Sequence, residues 1–305
     1  MIVRLATTRS SARALVAGSL LALAPLPAHA AADKLLLTGG VTSIDGAAGG
    51  GLTPWAVIGS NATEGETGAS ATVTAVKTDG YRMMVYGAAV GWDDRVELSV
   101  AHQDFDTGDT GTALGLPGLH LKQDIVGAKL RVYGNAVLDS DTWAPQVAVG
   151  AEWKQLDAGG LEPTLRSLGA GLQGTDLYVS ATKLFLAQGI LVNGTLRLTK
   201  ANQNGLLGFG GSAHSGYSLQ PEASVAWLAD RHLAFGLEYR AKPDNLNPSA
   251  LGAGLKEDDW ADVFVAWAPC KVVSLTAAYV DLGRIVPAIA TKRQAGGYLS
   301  AQVAF

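Results

Sequence analysis

The stretch from residue 190 to residue 199, ILVNGTLRLT, decides the fold class of this chain. Every second position is apolar or glycine: Ile190, Val192, Gly194, Leu196 and Leu198. The positions between them are mostly polar: Leu191, Asn193, Thr195, Arg197 and Thr199. Successive side chains of a β-strand face opposite sides, so this period of two predicts a strand with one apolar face. A helix would scatter the same apolar residues around its circumference.

The same alternation recurs along most of the chain and predicts a series of strands. Their ranges are 34–44, 54–62, 69–79, 81–91, 94–105, 123–133, 145–155, 174–186, 189–200, 217–228, 231–241, 260–268, 271–282 and 295–305. Short links alternate with long ones that are rich in Gly, Asn, Asp and Ser, as in membrane barrels with short periplasmic turns and long outer loops. We therefore predict an all-β, transmembrane, antiparallel up-and-down barrel of about 14 strands. The number falls to 12 if the two weak N-terminal pieces plug the lumen or merge.

Composition agrees with this fold class. The 305 residues are 48% hydrophobic and 16% charged, and the mean hydropathy is +0.19. Beyond the N-terminus, however, no apolar run reaches the ~18 residues of a membrane helix. The low charge argues against an ordinary α/β enzyme, and the high apolar content argues against disorder.

Residues 1–30 have the pattern of a secretory signal peptide. Arg4, Arg9 and Arg13 precede an apolar run, and Ala28-His29-Ala30 forms a small-residue cleavage site. We therefore predict export of a mature chain, 31–305, that consists of the barrel alone. Removal of three arginines changes the net charge from −4 to −7, which makes nucleic acid an improbable partner.

Most aromatic residues fall at the ends of the predicted strands, as expected for two interfacial girdles. The predicted outer girdle comprises Tyr81, Phe105, Trp153, Tyr178, Tyr217, Tyr239, Trp260, Tyr279 and Tyr298.

Several motifs resemble an uncharacterised family of Gram-negative outer-membrane proteins that is defined only as a domain of unknown function. The matching stretches are 33–41 (DKLLLTGGV), 115–119 (GLPGL), 137–143 (VLDSDTW), 179–186 (VSATKLFL), 199–208 (TKANQNGLLG), 238–246 (EYRAKPDNL), 259–260 (DW) and 278–284 (AYVDLGR). The resemblance implies a barrel in the bacterial outer membrane, in contact with its lipid. It implies no established activity.

The residues offer little for catalysis. His214 and Ser215, in a glycine-rich outer loop, are the best candidates for a nucleophilic site. Cys270 is the only cysteine, which excludes an internal disulfide. We predict no enzyme activity, no cofactor and no metal site, and keep a loop-borne hydrolase as an alternative.

The predicted lumen face carries the most informative residues. Charges on the lipid face are costly, so the register assigns the charged strand residues to the lumen face. They are Arg95, Glu97, Lys129, Arg131, Glu152, Lys154, Arg197, Glu222, Glu238 and Arg240. These pore-lining candidates predict a passive, porin-like channel for small polar or ionic solutes. Six cations against four anions predict a weak anion preference. The alternative is a closed structural or binding barrel that acts through its outer loops. The permeant solute and the oligomeric state stay open.

Overall fold

A computed structural model describes residues 34–137, 142–248 and 252–305. The predicted signal peptide lies outside these residues. The described chain forms a closed antiparallel barrel, in which twelve strands each pair with their neighbours in sequence and the last pairs with the first. This confirms the predicted fold class with the lower of the two predicted strand numbers.

A small hairpin precedes the wall of the barrel: β1 (Val41–Thr42) pairs with β2 (Ala48–Gly49). The wall strands are β3 (Thr67–Thr78), β4 (Arg82–Trp92), β5 (Val96–Asp106), β6 (His120–Tyr133), β7 (Gln146–Asp157), β8 (Gln173–Phe185), β9 (Ile190–Thr199), β10 (Ser218–Leu228), β11 (Leu233–Arg240), β12 (Trp260–Trp267), β13 (Val273–Asp281) and β14 (Ala295–Ala304). Two short helices, α1 (Gly108–Ala113) and α2 (Glu162–Ser167), lie in long loops. Within the described ranges, no helix is long and apolar enough to cross a membrane.

The predicted strands 34–44 and 54–62 are not part of the wall. Residues 41–60, which include the hairpin β1–β2, are buried and form a plug inside the barrel. Twelve strands enclose more space than wall side chains alone fill, and this segment occupies it.

The alternation of the wall strands matches their two environments. In β9, even-numbered residues are exposed and odd-numbered residues are buried. The exposed face around the barrel is largely apolar, with Leu98, Val126, Leu196 and Leu237 among its members. An apolar outer face is the arrangement that a bilayer requires of a barrel.

Five long loops leave one end of the barrel, where only the link between β3 and β4 is short, and the links at the other end are short except for the one between β6 and β7. The turn at Asp93 and Asp94 has two residues with positive φ, 56° and 44°, as the tight hairpins of twisted strands require. We call the end with the long loops the outer end. The opposite end, where β3 starts and β14 finishes, is the inner end.

The seam between β14 and β3 closes the ring. It runs from Ala304 opposite Ser70 to Gly296 opposite Thr78. Phe305 extends it by donating its N–H to the Ala69 carbonyl at 2.8 Å. The Asn61 side chain, at the base of the plug, donates to the Ala304 carbonyl at 2.9 Å.

Five members of the predicted outer girdle do not face lipid. Their exposed fractions are 1–5%, and they are Tyr81, Phe105, Tyr178, Trp260 and Tyr298. Four of them lie on wall strands whose alternation turns their side chains into the lumen, and Tyr81 lies in the link before β4. Trp153, Tyr217, Tyr239 and Tyr279 are exposed.

Tyr178 generates a test of this inward packing. Its ring covers Gly150, the residue opposite it on β7, and a Cβ at Gly150 would overlap the ring. We expect Gly150→Ala to destabilise the barrel by roughly 1–3 kcal/mol, because the tyrosine has to leave its position in a packed interior.

Gly194→Ala is the matched control, since Gly194 is also a strand glycine and nothing lies within 4 Å of a Cβ there. Thermal unfolding in detergent measures both changes. An equal effect of the two substitutions would contradict the inward orientation of Tyr178.

Candidate functional site: the plugged lumen

Eight of the ten predicted lumen residues are buried inside the barrel. Their exposed fractions are 0–3%, and they are Glu97, Lys129, Glu152, Lys154, Arg197, Glu222, Glu238 and Arg240. Arg131 is half-buried at the inner rim, where its Nη1 contacts Asp94 Oδ2 at 2.9 Å. Arg95 is exposed in the turn before β5, so its assignment to the lumen face is wrong. Arg95 precedes the first residue of β5, so the inward and outward alternation of that strand does not apply to it.

Asp45 of the plug is the centre of a buried ionic network. Its Oδ2 contacts Arg240 Nη2 at 2.7 Å, and its Oδ1 contacts Lys154 Nζ at 3.3 Å. Asn204, in the long loop after β9, donates its amide N–H to Asp45 Oδ1 at 2.6 Å. Asp45 therefore joins the wall, the plug and an outer loop.

The wall charges around Asp45 also pair with one another. Arg197 contacts Glu222 at 2.6 Å and Glu152 at 2.7 Å. Lys154 contacts Asp176 at 3.0 Å. Buried charges persist only when they are paired and hydrogen-bonded. Loss of one partner from such a network costs roughly 3–5 kcal/mol, because an uncompensated charge stays behind.

Glutamate side chains of the wall hold the backbone of the plug. Glu238 accepts hydrogen bonds from the Leu52 N–H at 2.8 Å and from the Thr53 hydroxyl at 2.6 Å. Glu97 accepts from the Ala48 N–H at 3.0 Å and from the Gly59 N–H at 2.7 Å.

Lys129 and neutral side chains satisfy the carbonyl groups of the plug. Lys129 Nζ donates to the Ala48 carbonyl at 2.7 Å and to the Val57 carbonyl at 2.9 Å. Thr195 donates to the Pro54 carbonyl at 2.8 Å, and Gln146 donates to the Ala56 carbonyl at 2.6 Å. The polar lumen face is thus the hydrogen-bonding surface on which the plug sits.

A second segment closes the lumen from the outer end. Residues 200–211 of the loop between β9 and β10 are almost all buried, and we call them the inward loop. Gln123 of β6 donates to the Asn204 carbonyl at 3.1 Å, and Asn204 Oδ1 accepts from Lys154 at 2.8 Å. The inward loop therefore rests on the same charged layer as the plug.

Lys242 and Glu257 hold the inward loop from above. Glu257 accepts from the Gln203 backbone N–H at 3.0 Å, and Lys242 donates to the Gln203 side chain at 2.6 Å. The two charged groups lie 3.2 Å apart. Burial raises the pKa of the Glu257 carboxyl from 4.5 to about 7, although Lys242 opposes the shift.

Sequence reasoning missed three acidic groups of this site. Asp176 and Asp262 are buried on the lumen face of β8 and β12. Their alternation with Leu177 and Val263 is a signal that was present in the sequence. Asp45 had no such signal, because the plug has no periodic pattern.

The structure gives no support to a catalytic site at His214. His214 and Ser215 are both exposed in the loop after β9. Within the described ranges, no His, Cys, Asp and Glu side chains are grouped so that they could hold a metal ion.

An apolar exterior, a closed ring of strands and a lumen filled by segments of the same chain define a plugged membrane β-barrel. The chain belongs to the family described as a protein of unknown function, DUF3034, which matches residues 38–302. This confirms the resemblance seen in the sequence.

Solved structures with a similar fold share little sequence with this chain. The KdgM porin is 9% identical over 77% of this chain and 99% of its own, with a TM-score of 0.46. The NanC porin is 7% identical over 77% and 98%, with a TM-score of 0.49. Outer membrane phospholipase A from Escherichia coli is 8% identical over 77% and 92%, with a TM-score of 0.41. A search of the curated proteins finds no match. Nothing about the activity of this chain follows from these likenesses.

The raised pKa of Glu257 generates a test of how the inward loop is held. The folded state binds the Glu257 proton more tightly than the unfolded state does, so stability falls as the pH rises from 4.5 to about 7. Glu257→Gln imitates the protonated acid. We expect the variant to match the wild type at pH 5 and to unfold several degrees higher at pH 8.

Thermal unfolding in detergent at the two pH values measures this difference. Glu64→Gln, at an exposed glutamate near the inner end, serves as the control and should show no such divergence. A Glu257→Gln curve parallel to the wild-type curve across this range would refute the assignment.

Proposed function

We propose that this protein is a channel of the bacterial outer membrane that its own plug and inward loop hold closed. When both segments move, small polar or ionic solutes pass through by diffusion, without a cofactor. Residues 1–30 direct its export in this proposal. The observation that carries the proposal is the set of hydrogen bonds and ion pairs between plug and wall.

Polar contacts make the plug removable. Each hydrogen bond that Glu97 or Glu238 accepts from the plug backbone, and each that Lys129 or Gln146 donates to it, has an equivalent with water once the lumen opens. Such exchanges change the free energy by only about 0.5–1.5 kcal/mol each. A plug packed by apolar contacts alone would expose an apolar wall to water when it left the lumen.

The wall that the plug leaves is charged and negative on balance. Its inward-facing, buried strand residues include four cations, Lys129, Lys154, Arg197 and Arg240. They include six anions, Glu97, Glu152, Asp176, Glu222, Glu238 and Asp262. This reverses the balance expected from the sequence, so we propose that the open channel prefers cations.

A closed barrel that binds a partner through its outer loops is the second candidate. The filled lumen is the observation that favours it. Conductance separates the two candidates, because a closed barrel passes no current.

Asp45→Asn is the variant that tests the channel. It removes a charge from the plug and leaves the wall unchanged. Arg240 and Lys154 lose a buried partner, so the closed state is destabilised by roughly 3–5 kcal/mol. In planar bilayers we expect rare openings of the wild type, and openings of Asp45→Asn that are more frequent by roughly a hundredfold to several thousandfold.

Asp109→Asn, at an exposed aspartate of α1, is the control and should behave as the wild type does. Silence of Asp45→Asn after verified insertion would reject the channel and leave the closed barrel.

The reversal potential of the Asp45→Asn channel tests its selectivity. In a potassium chloride gradient we expect potassium to be more permeant than chloride, because anions outnumber cations on the wall. Adding Asp262→Asn should weaken this preference. A chloride-selective current would refute the charge assignment.

A further inference from the structure

The outer half of the lumen differs from the charged layer beneath it. Its wall is apolar: Val76, Met83, Phe105, Leu121 and Val280 face inward and are buried. Narrow apolar constrictions exclude water and so block ions, and the inward loop narrows this ring as long as it occupies the lumen. We call the space inside this ring the outer chamber.

The chain fills the outer chamber with its own side chains. Leu206 and Leu207 of the inward loop enter it from above, and Ile44 and Leu52 of the plug enter it from below. The space that remains between them is about 30 Å³, which is smaller than a single aromatic ring needs. A ligand of that size therefore has to displace the two leucines.

Two side-chain donors of residues that line the chamber, the Trp260 indole and the Tyr298 hydroxyl, have no partner among the described residues, and neither is exposed to the space that remains. The Tyr298 hydroxyl lies against Gly51 of the plug, which leaves Trp260 as the donor on the side of the inward loop. Trp260 lines the chamber with 3% of its surface exposed, and its indole Nε1 has no partner among the residues that the structure describes. Lys242 lies over the ring, 4.7 Å from its centre, and leaves the N–H available. Buried donors are rarely left without an acceptor, so a bound ligand with one acceptor would complete this site.

The inward loop is built in a way that allows displacement. Gln203 and Asn204 have φ angles of 44° and 59°, a left-handed conformation that non-glycine residues seldom adopt. Gln203 forms hydrogen bonds with Lys242 and Glu257, and hydrogen bonds with water can replace them. The loop thus holds its leucines in the chamber against a backbone preference.

We infer that the outer chamber is a binding site for small uncharged amphipathic molecules, which Leu206 and Leu207 occupy in the closed state. The apolar body of the ligand replaces the two leucines, and its acceptor atom takes the Trp260 N–H. The inference rests on the proposed function, because it adds such molecules to the solutes that enter the channel. Further polar groups of such molecules would then contact the charged layer below the chamber.

Two probes of nearly equal shape test the site. Para-fluoroacetophenone has a carbonyl oxygen where para-fluoro-α-methylstyrene has a methylene group. Fluorine NMR titration of the full chain in detergent, corrected with empty micelles, measures both affinities. The wild type should bind the ketone about tenfold more tightly, equivalent to about 1.4 kcal/mol.

Trp260→Phe keeps the apolar ring and removes the donor, so it should bind both probes equally. Leu207→Ala removes a competing side chain and should bind both probes at least threefold more tightly. Leu219→Ala, at a leucine exposed on the outside of the barrel, is the matched control and should bind as the wild type does.

Two results would overturn the site. One is a preference for the ketone that survives in Trp260→Phe. The other is the absence of binding to both the wild type and Leu207→Ala. Conductance of the same preparation is read separately, so binding without current rejects the channel alone, and current without binding rejects the site alone.

Discussion

The structure depends on hydrogen bonds between the wall and the backbone of the plug. A segment whose only regular structure is a two-residue hairpin, buried in a closed barrel, has many N–H and C=O groups that need other partners. Glu97 and Glu238 accept from its N–H groups, and Lys129 and Gln146 donate to its carbonyl groups. The side chains that would make a channel wet are therefore the ones that make its closed form stable.

The lumen is layered, and each layer has a different role. The middle is charged and joins plug, wall and inward loop through Asp45. The outer half is apolar and packs the leucines of the inward loop. A change in either closing segment reaches the other through Asn204, which contacts both Asp45 and Lys154.

Local alternation was sufficient to predict the wall strands from the sequence, because each strand meets lipid on one side and the lumen on the other. The same phase identifies eight buried lumen charges, and applied to Asp176 and Asp262 it would have identified two more. The same alternation gave a wrong position for Arg95, because this residue lies in the turn before β5 begins. Tyr178 and Trp260 were predicted to face lipid from their positions along the strands. The alternation of inward and outward residues, which turns both side chains into the lumen, was not applied to them.

The plug was beyond sequence reasoning for a physical reason. Residues 41–60 have no period of their own, because their partners are side chains from strands far along the chain. Glu238, for example, binds Leu52 across 186 residues of sequence. Such a segment acquires its conformation only inside the finished barrel. Its possible role as a plug could be stated, but its contacts could not.

The seam between β14 and β3 has a consequence for how the protein is assembled. β3 follows directly on the plug, and β14 is the last strand of the wall, so every wall strand is synthesised after the segment that it has to enclose. The Asn61 side chain and the final residue, Phe305, both bond across this seam, at the base of the plug. The folding step that closes the ring therefore also fixes the base of the plug, and the plug is inside the lumen when the ring is complete.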